Sequence, residues 1–361
     1  MSASFLEKIF NLGTHARWSM AEPLLNLRSI QKILIVRNDN VGDVLCCTPA
    51  IRALRQHFPK AYIAALVVEY SKDAILGNPD LDKVYIYEKA KHRTDRSRFI
   101  SLYKQFQVER NLRQKGFDLA IGLRSSFSWS EAWLVYFSGA RFRLGYDPQK
   151  EGDRRFRFFY NLRVPPPPGN IHEVERALNL LAEIGIPPAE KSLRVWIPDE
   201  EKQRVEKFLK KNGIDIQRLV GIQLSSRIPA NRWSLEKFVA LTIRLTGHDR
   251  HFVVLTWGPG DEALAKQVLA QADSNVFLYP TPTFKSLGAL QERCRVFISP
   301  DGGAMHLATA VGTPTVGLFG KTDPRSWGPW GNGHVALRQG KNADLISVDE
   351  VYQVLQKWIE H

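Results

Sequence analysis

The sequence predicts two doubly wound α/β domains, each built on a parallel sheet with helices on both faces, with a crevice between them. Three observations carry this. Short apolar runs alternate with segments of helical spacing. The alternation stops at Pro165-Pro166-Pro167-Pro168-Gly169, which can be neither regular helix nor central strand, and then restarts. The length, 361 residues, suits two domains of ordinary size. The expected division is 1–180, 181–345 and a final helix, 346–361, folding back toward the first domain.

In the first half KILIV (32–36) has the pattern of a buried parallel strand. A loop, RNDNVGD, follows, and then Val44, Cys47, Ile51 and Leu54 recur at helical spacing up to His57-Phe58-Pro59. YIAALVV (62–68) closes a strand–helix–strand unit, and apolar runs return at 84–87 and 118–123. Beyond the prolines a helix is expected from Glu173 to Gly185. Strands follow at 219–224, 252–256, 276–279, 295–299 and 314–319, with helices at 234–246 and 261–272 and a last one over 348–359.

Hydrophobic residues make up 44% of the chain, enough for full cores, and no run reaches the roughly 20 apolar residues of a membrane-spanning helix. Glu7, Lys8, His15 and Arg17 interrupt any signal-peptide core. Two of the three cysteines are adjacent (Cys46, Cys47), which fits a reducing cytoplasm better than a disulfide framework. Residues 1–28 are amphipathic in places; they suit a helix packed on the core or a peripheral helix on a membrane surface. The excess of 50 Lys+Arg over 37 Asp+Glu, net +13, favours an anionic partner. It concentrates in Lys89–Lys115 and Arg141–Arg163. No recognised nucleic-acid module is present, so nucleic acid is not the expected partner.

Ligands of open α/β sheets bind at the carboxyl ends of strands, which singles out two loops. RNDNVGD has one glycine, Gly42, where a dinucleotide site needs G-x-G-x-x-G, and no phosphate-binding G-x-x-x-x-G-K-[ST] occurs. The loop does bring Asp39 and Asp43 to the crevice; taken alone, Asp43 suits a helix N-cap. In the second half RVFIS runs into Ser299-Pro300-Asp301-Gly302-Gly303, then a helix from about Ala304. Glycines at a helix start offer free N–H groups to a diphosphate. His306, one turn in, suits either a core histidine or a phosphate contact. No His/Cys/carboxylate cluster has metal-ligand spacing.

The string D-G-G-A-M-H-L-A-x-A-x-G-T-P, followed by L-F-G-x-T-D-P-x-x-W-G-P, resembles the signature of the family 9 glycosyltransferases, which include the ADP-heptose:lipopolysaccharide heptosyltransferases. K-I-L-I-V-R-x-D-x-V-G-D-V-L-x-x-T-P-A-I-R-A-L-R is similar to their N-terminal motif. The resemblance runs from about Lys32 to the C-terminus and implies a GT-B fold and an inverting, metal-independent sugar transfer. The nucleotide sugar is a co-substrate, ADP-heptose by this resemblance, and no cofactor is needed. The acceptor would be the anionic lipid A–core region of lipopolysaccharide, reached from the cytoplasm with peripheral contact at the inner membrane. Asp43 matches the general base, and Asp301 the aspartate on the donor sugar. Gly302 and Gly303 match the backbone that holds the diphosphate, and Ser225 and Ser226 the hydroxyl residues beside it. Asp261 or Glu262 matches the carboxylate on the ribose, and Thr283 falls where the adenine is lined.

One departure stands out. Family members carry K-x-W-P after the Ser/Thr loop; this chain has Asn231-Arg232-Trp233-Ser234. Arg232 or Arg227 could supply the missing charge, because a guanidinium can hold a phosphate bidentately. Other readings are transfer from another nucleotide sugar, a sugar-nucleotide 2-epimerase, and a non-catalytic sugar-nucleotide-binding protein.

Overall fold

A computed structural model describes residues 25–87, 106–188, 190–247, 250–272 and 275–360. The amphipathic start up to residue 24 and the basic stretch from Lys89 through Lys104 lie outside the described residues.

Two six-stranded parallel sheets form the frame. The first holds β1 (Lys32–Arg37), β2 (Tyr62–Val68), β3 (Lys83–Tyr87), β4 (Leu119–Gly122), β5 (Phe142–Tyr146) and β6 (Leu162–Val164) in the order β3-β2-β1-β4-β5-β6. The second holds β7 (Leu219–Gln223), β8 (Phe252–Thr256), β9 (Val276–Leu278), β10 (Val296–Pro300), β11 (Thr315–Phe319) and β12 (Val335–Arg338) in the order β9-β8-β7-β10-β11-β12. Each sheet starts in its middle, grows outward, then crosses back over its first strand. The crevice that this reversal opens lies at the carboxyl ends of β1 and β4 in one lobe and of β7 and β10 in the other. The central strands read as unbroken apolar runs because helices cover both faces; Ile33, Leu34, Ile35 and Val36 are all buried.

Some elements lacked a sequence signal. The helix Asp199–Lys211 is polar except where Val205, Phe208 and Leu209 face inward, so its apolar stripe is narrow. Strands β5 and β12 mix arginine with apolar residues. The helix expected through Val44 to Leu54 is two, Val41–Leu45 and Thr48–His57, and Pro49 opens the second.

The helix Glu173–Ala182 packs on Thr48–His57 of the first lobe, and Asp199–Lys211 packs on Phe284–Gln291 of the second. The chain therefore crosses between lobes over residues 183–198. The last helix, Val348–Ile359, corrects an expectation. It stays on the second lobe, with Val351, Tyr352, Leu355 and Ile359 buried among the side chains of β7, β10 and β11. At roughly 1.5–3 kcal/mol for each large apolar side chain fully buried, this face anchors the helix where its own lobe offers a core.

Candidate functional site

In the first lobe the site begins where β1 ends. Arg37 closes the apolar strand with a guanidinium only 2% exposed. Its Nε donates to Asp39 Oδ1 at 2.7 Å and its Nη2 to Asp43 Oδ1 at 3.0 Å. Nη1 lies 2.9 Å from Glu173 Oε1 and also donates to the Leu123 carbonyl. Burial opposes the charge, and the surrounding acidic groups more than offset it, so Arg37 stays cationic. The same burial raises the carboxyls of Asp39 and Glu173 against the pull of Arg37. Asp43 is no N-cap: the helix starts at Val41 after Asn40, and the Asp43 carboxylate turns to Arg37. Arg124, 3.6 Å from Asp39, extends the cluster toward Glu131. Glu131 takes hydrogen bonds from the Arg124 N–H and the Tyr160 hydroxyl, and burial pushes its carboxyl up to about 8.

The second lobe holds its carboxylate differently. Asp301, 8% exposed, follows β10 and accepts at Oδ2 from Asn231 Nδ2 (3.0 Å) and the Thr322 hydroxyl (2.6 Å). Burial raises it to about 6; the Thr322 hydroxyl opposes the shift, and negative Asp43 across the cleft adds to it. Ser226 donates its hydroxyl to the Asp301 carbonyl, tying the end of β7 to the end of β10. Ser225 accepts from the Gly258 N–H and so ties in the loop after β8.

Asn231, at the position of the family's lysine, is fully buried. Its amide nitrogen also donates to Thr322 Oγ1, and its oxygen accepts from the N–H groups of Gly320 and Lys321. One neutral side chain thus joins the loops after β7, β10 and β11.

These two groups face one cleft. A Cβ on Gly303 would come within 2.4 Å of Val41 Cγ1, and one on Gly42 within 2.7 Å of His306 Cδ2. Glycine at both places lets the start of the helix Gly303–Ala310 touch the Asp43 loop. His306 lies buried against Gly42, with Nδ1 3.9 Å from Cys46 Sγ. Burial, with His172 adding to it, lowers its pKa to about 3. The ring is a neutral packing group between the lobes and brings no positive charge to a phosphate. Further ties close the cleft: Arg227 Nη1 donates to Asn40 Oδ1 at 2.8 Å, and the Lys285 ammonium donates to the Leu76 and Trp196 carbonyls.

The other expected residues fall around the second lobe's rim. Arg232 donates from Nε to the Ser226 carbonyl, and its Nη1 lies 3.7 Å from Asp261. Glu262 is exposed and pairs with Lys266, so of the two ribose candidates Asp261 is the one drawn toward the Ser226 loop. Thr283 caps the helix Phe284–Gln291 and donates to Glu201; the adjacent Phe284 ring reaches the neighbourhood of Gly303. Gly302 sits in extended backbone just before the helix Gly303–Ala310. Arg37, Glu173, Glu131 and Thr322 escaped sequence reasoning. An arginine ending an apolar strand, with two aspartates close behind, was a sign for Arg37, and Thr322 stands within the L-F-G-x-T-D-P string. Among the described residues no group of three or more His, Cys, Asp or Glu is placed to hold a metal ion, and no helix is long and apolar enough to cross a membrane.

Known proteins share this fold. Residues 105–355 match the family described as Glycosyltransferase family 9 (heptosyltransferase). Lipopolysaccharide heptosyltransferase 3 of Escherichia coli is 29% identical over 314 residues, covering 86% of this chain and 89% of the relative. A family 9 glycosyl transferase from Veillonella parvula superposes with a TM-score of 0.79 at 21% identity, over 91% of this chain and 97% of that one. The E. coli heptosyltransferase WaaC, solved with ADP, gives 0.75 at 21% identity over 91% and 99%. With two six-stranded parallel sheets in the GT-B arrangement and a family match across most of its length, the chain belongs to glycosyltransferase family 9 and is a glycosyltransferase.

Proposed function

We propose that the protein moves a heptose from ADP-heptose onto an acceptor sugar of the lipopolysaccharide core, inverting the anomeric centre. The observation that supports this best is that Asp43 and Asp301, on loops of different sheets, face one cleft where the two loops touch, with the charge of Asp43 raising Asp301. The relatives' descriptions, lipopolysaccharide heptosyltransferase 3 and a heptosyltransferase solved with ADP, supply the donor and acceptor class.

In this reading Asp43, with Oδ1 on the Arg37 guanidinium, takes the proton of the acceptor hydroxyl as that oxygen attacks the anomeric carbon. The C–O bond to the diphosphate breaks on the opposite face. The leaving diphosphate lies against the N–H groups at Gly302-Gly303, where the helix dipole favours the growing negative charge. Asp301 holds a hydroxyl of the donor sugar, and Asp261 the ribose. The acceptor lies over the first lobe.

The test is incubation with ADP-heptose, with and without heptose-deficient lipopolysaccharide, followed by mass spectrometry and anomeric assignment of the product. Transfer that requires the acceptor and inverts the configuration is expected. Conversion of the donor without an acceptor would replace this reading with epimerisation. Transfer from a GDP- or UDP-sugar alone would keep the reaction and change the donor.

A further inference from the structure

A departing diphosphate needs a cation, and the residue at the motif's lysine position is a neutral amide with every polar atom engaged. Asn231 is fully buried between three loops and has nothing left to offer a phosphate. Charge must come from elsewhere in the cleft.

The geometry points to Arg227 as the residue that contacts the donor's diphosphate, released for that purpose from a cross-cleft bond to Asn40. This assignment rests on the donor-site reading given above. Arg227 follows Ser226, whose hydroxyl is bound to the Asp301 carbonyl, so its backbone is fixed beside the Asp301–Gly303 turn. Its guanidinium reaches the other lobe and donates from Nη1 to Asn40 Oδ1 at 2.8 Å. Asn40 precedes Val41, the residue whose side chain covers Gly303. The guanidinium therefore spans the mouth between the helix start and the Asp43 loop. The Tyr70 hydroxyl, which also donates to Asn40 at 3.4 Å, feels Asp39, Arg227 and Asp43 together, placing this cation among the acceptor-side carboxylates.

Arg232 is the weaker candidate, because its Nε is committed to the Ser226 carbonyl and its Nη1 leans on Asp261. Arg227 is exposed, has a single hydrogen bond to a neutral partner, and carries five N–H donors on a long stem. Exchanging an amide oxygen for a doubly charged diphosphate is favourable, since charge-assisted hydrogen bonds are about twice as strong as neutral ones. The exchange also opens the bond between the lobes as the donor seats, which couples donor binding to access for the acceptor.

Titration calorimetry of the full chain with ADP and with AMP tests this, since AMP lacks the leaving phosphate. Arg227→Met is expected to weaken ADP binding by about 10- to 100-fold and leave AMP binding as in the parent chain. Arg227→Lys should recover part of the loss, and Asn40→Ala should keep or strengthen ADP binding because it removes the competing contact. Wild-type ADP affinity in Arg227→Met overturns the assignment, as does an equal loss for ADP and AMP. Weakening by Asn40→Ala to the level of Arg227→Met overturns the exchange. Lys321→Met is the comparison cation: a loss confined to that variant moves the role to Lys321. If GDP or UDP binds in place of ADP, the same diphosphate–monophosphate pair judges Arg227 while the donor proposal falls; if no diphosphate binds, both fall.

Discussion

At the end of β1, Asp43 shares a buried guanidinium with two further carboxylates, whereas at the end of β10, Asp301 is held by an amide and a hydroxyl, with no cation in contact among the described residues. The two lobes have the same strand order, and each presents its aspartate from the loop after a central strand. What separates them is the partner. The Arg37 guanidinium aims the Asp43 carboxylate by direct contact, whereas Asp301 rests on neutral donors and burial raises its acid. One fold used twice thus holds its two carboxylates in different ways, and the proposed function gives the first the acceptor's proton and the second a donor hydroxyl.

The largest expected effect comes from removing the proposed base. Asp43→Asn keeps the size of the side chain and a group facing Arg37, but not the proton-accepting charge. Transfer should fall by about 10²- to 10⁴-fold in kcat, with donor affinity close to that of the parent chain. Steady-state kinetics beside a donor titration check this. Undiminished turnover would take Asp43 out of the base role and leave the two carboxylates without distinct functions.

Arg37→Met attacks the other side of the contrast. It would leave Asp39, Asp43 and Glu173 buried together with no guanidinium between them. Removing one member of a buried ionic group costs about 3–5 kcal/mol, which urea unfolding should report as a lower midpoint. Part of that loss should return as the pH is lowered, because Asp39 and Glu173 are already raised by burial and protonate readily once Arg37 is gone. A variant as stable as the parent chain at neutral pH would mean that water reaches this cluster.

The Asp301 side yields a pH prediction. Its folded-state value of about 6 lies above an ordinary carboxyl near 4, so the folded chain binds the extra proton between those values. Its contribution to stability is therefore greatest below about pH 4 and declines as pH rises to about 6. Donor binding runs the other way, since a neutral Asp301 is the weaker acceptor. The donor kcat/KM should have an acid limb near pH 6. Asn231→Asp puts a second carboxylate where a donor stood 3.0 Å away, and should move that limb to higher pH. A limb that stays in place would separate Asp301 from donor binding.

Much of this was legible because buried parallel strands are apolar on both faces: KILIV, YIAALVV and RVFIS announce β1, β2 and β10. The glycine-rich turn after β10 was equally plain, since a helix start that touches another loop leaves no room for side chains. The contacts of Arg37 were not legible. Glu173 stands far along the chain and looks like an ordinary first-turn acid, and only the crossing of the helix Glu173–Ala182 onto the first lobe brings it to Arg37. Asn231 illustrates the limit of motif matching. Its identity marks a missing lysine, while its work, four hydrogen bonds among three loops, depends on backbone groups that no sequence pattern names. The terminal helix was misplaced for a related reason: its amphipathic pattern shows that one face is buried but not against which lobe.

The smallest effect sharpens the comparison, because it leaves both carboxylates in place and alters only their approach. Gly42 lies in a helical turn that alanine adopts freely, so the cost of Gly42→Ala arises from the new Cβ, 2.7 Å from the His306 ring. That ring has little room to retreat, being buried beside Cys46 and edge-on to Trp327. Overpacking of this kind costs about 1–3 kcal/mol when both sides are fixed. Here the lobes can relieve it by separating, so the variant should lose little thermal stability and show raised KM values. Gly303→Ala presses on Val41 from the opposite lobe and should do the same. Once one alanine has opened the cleft the second meets less resistance, so the double variant should fall short of the sum of the two. Additive losses in melting temperature with unchanged KM would instead mean that the contact is a rigid part of the core, and that the two aspartates are held at a fixed distance whether or not a donor is bound.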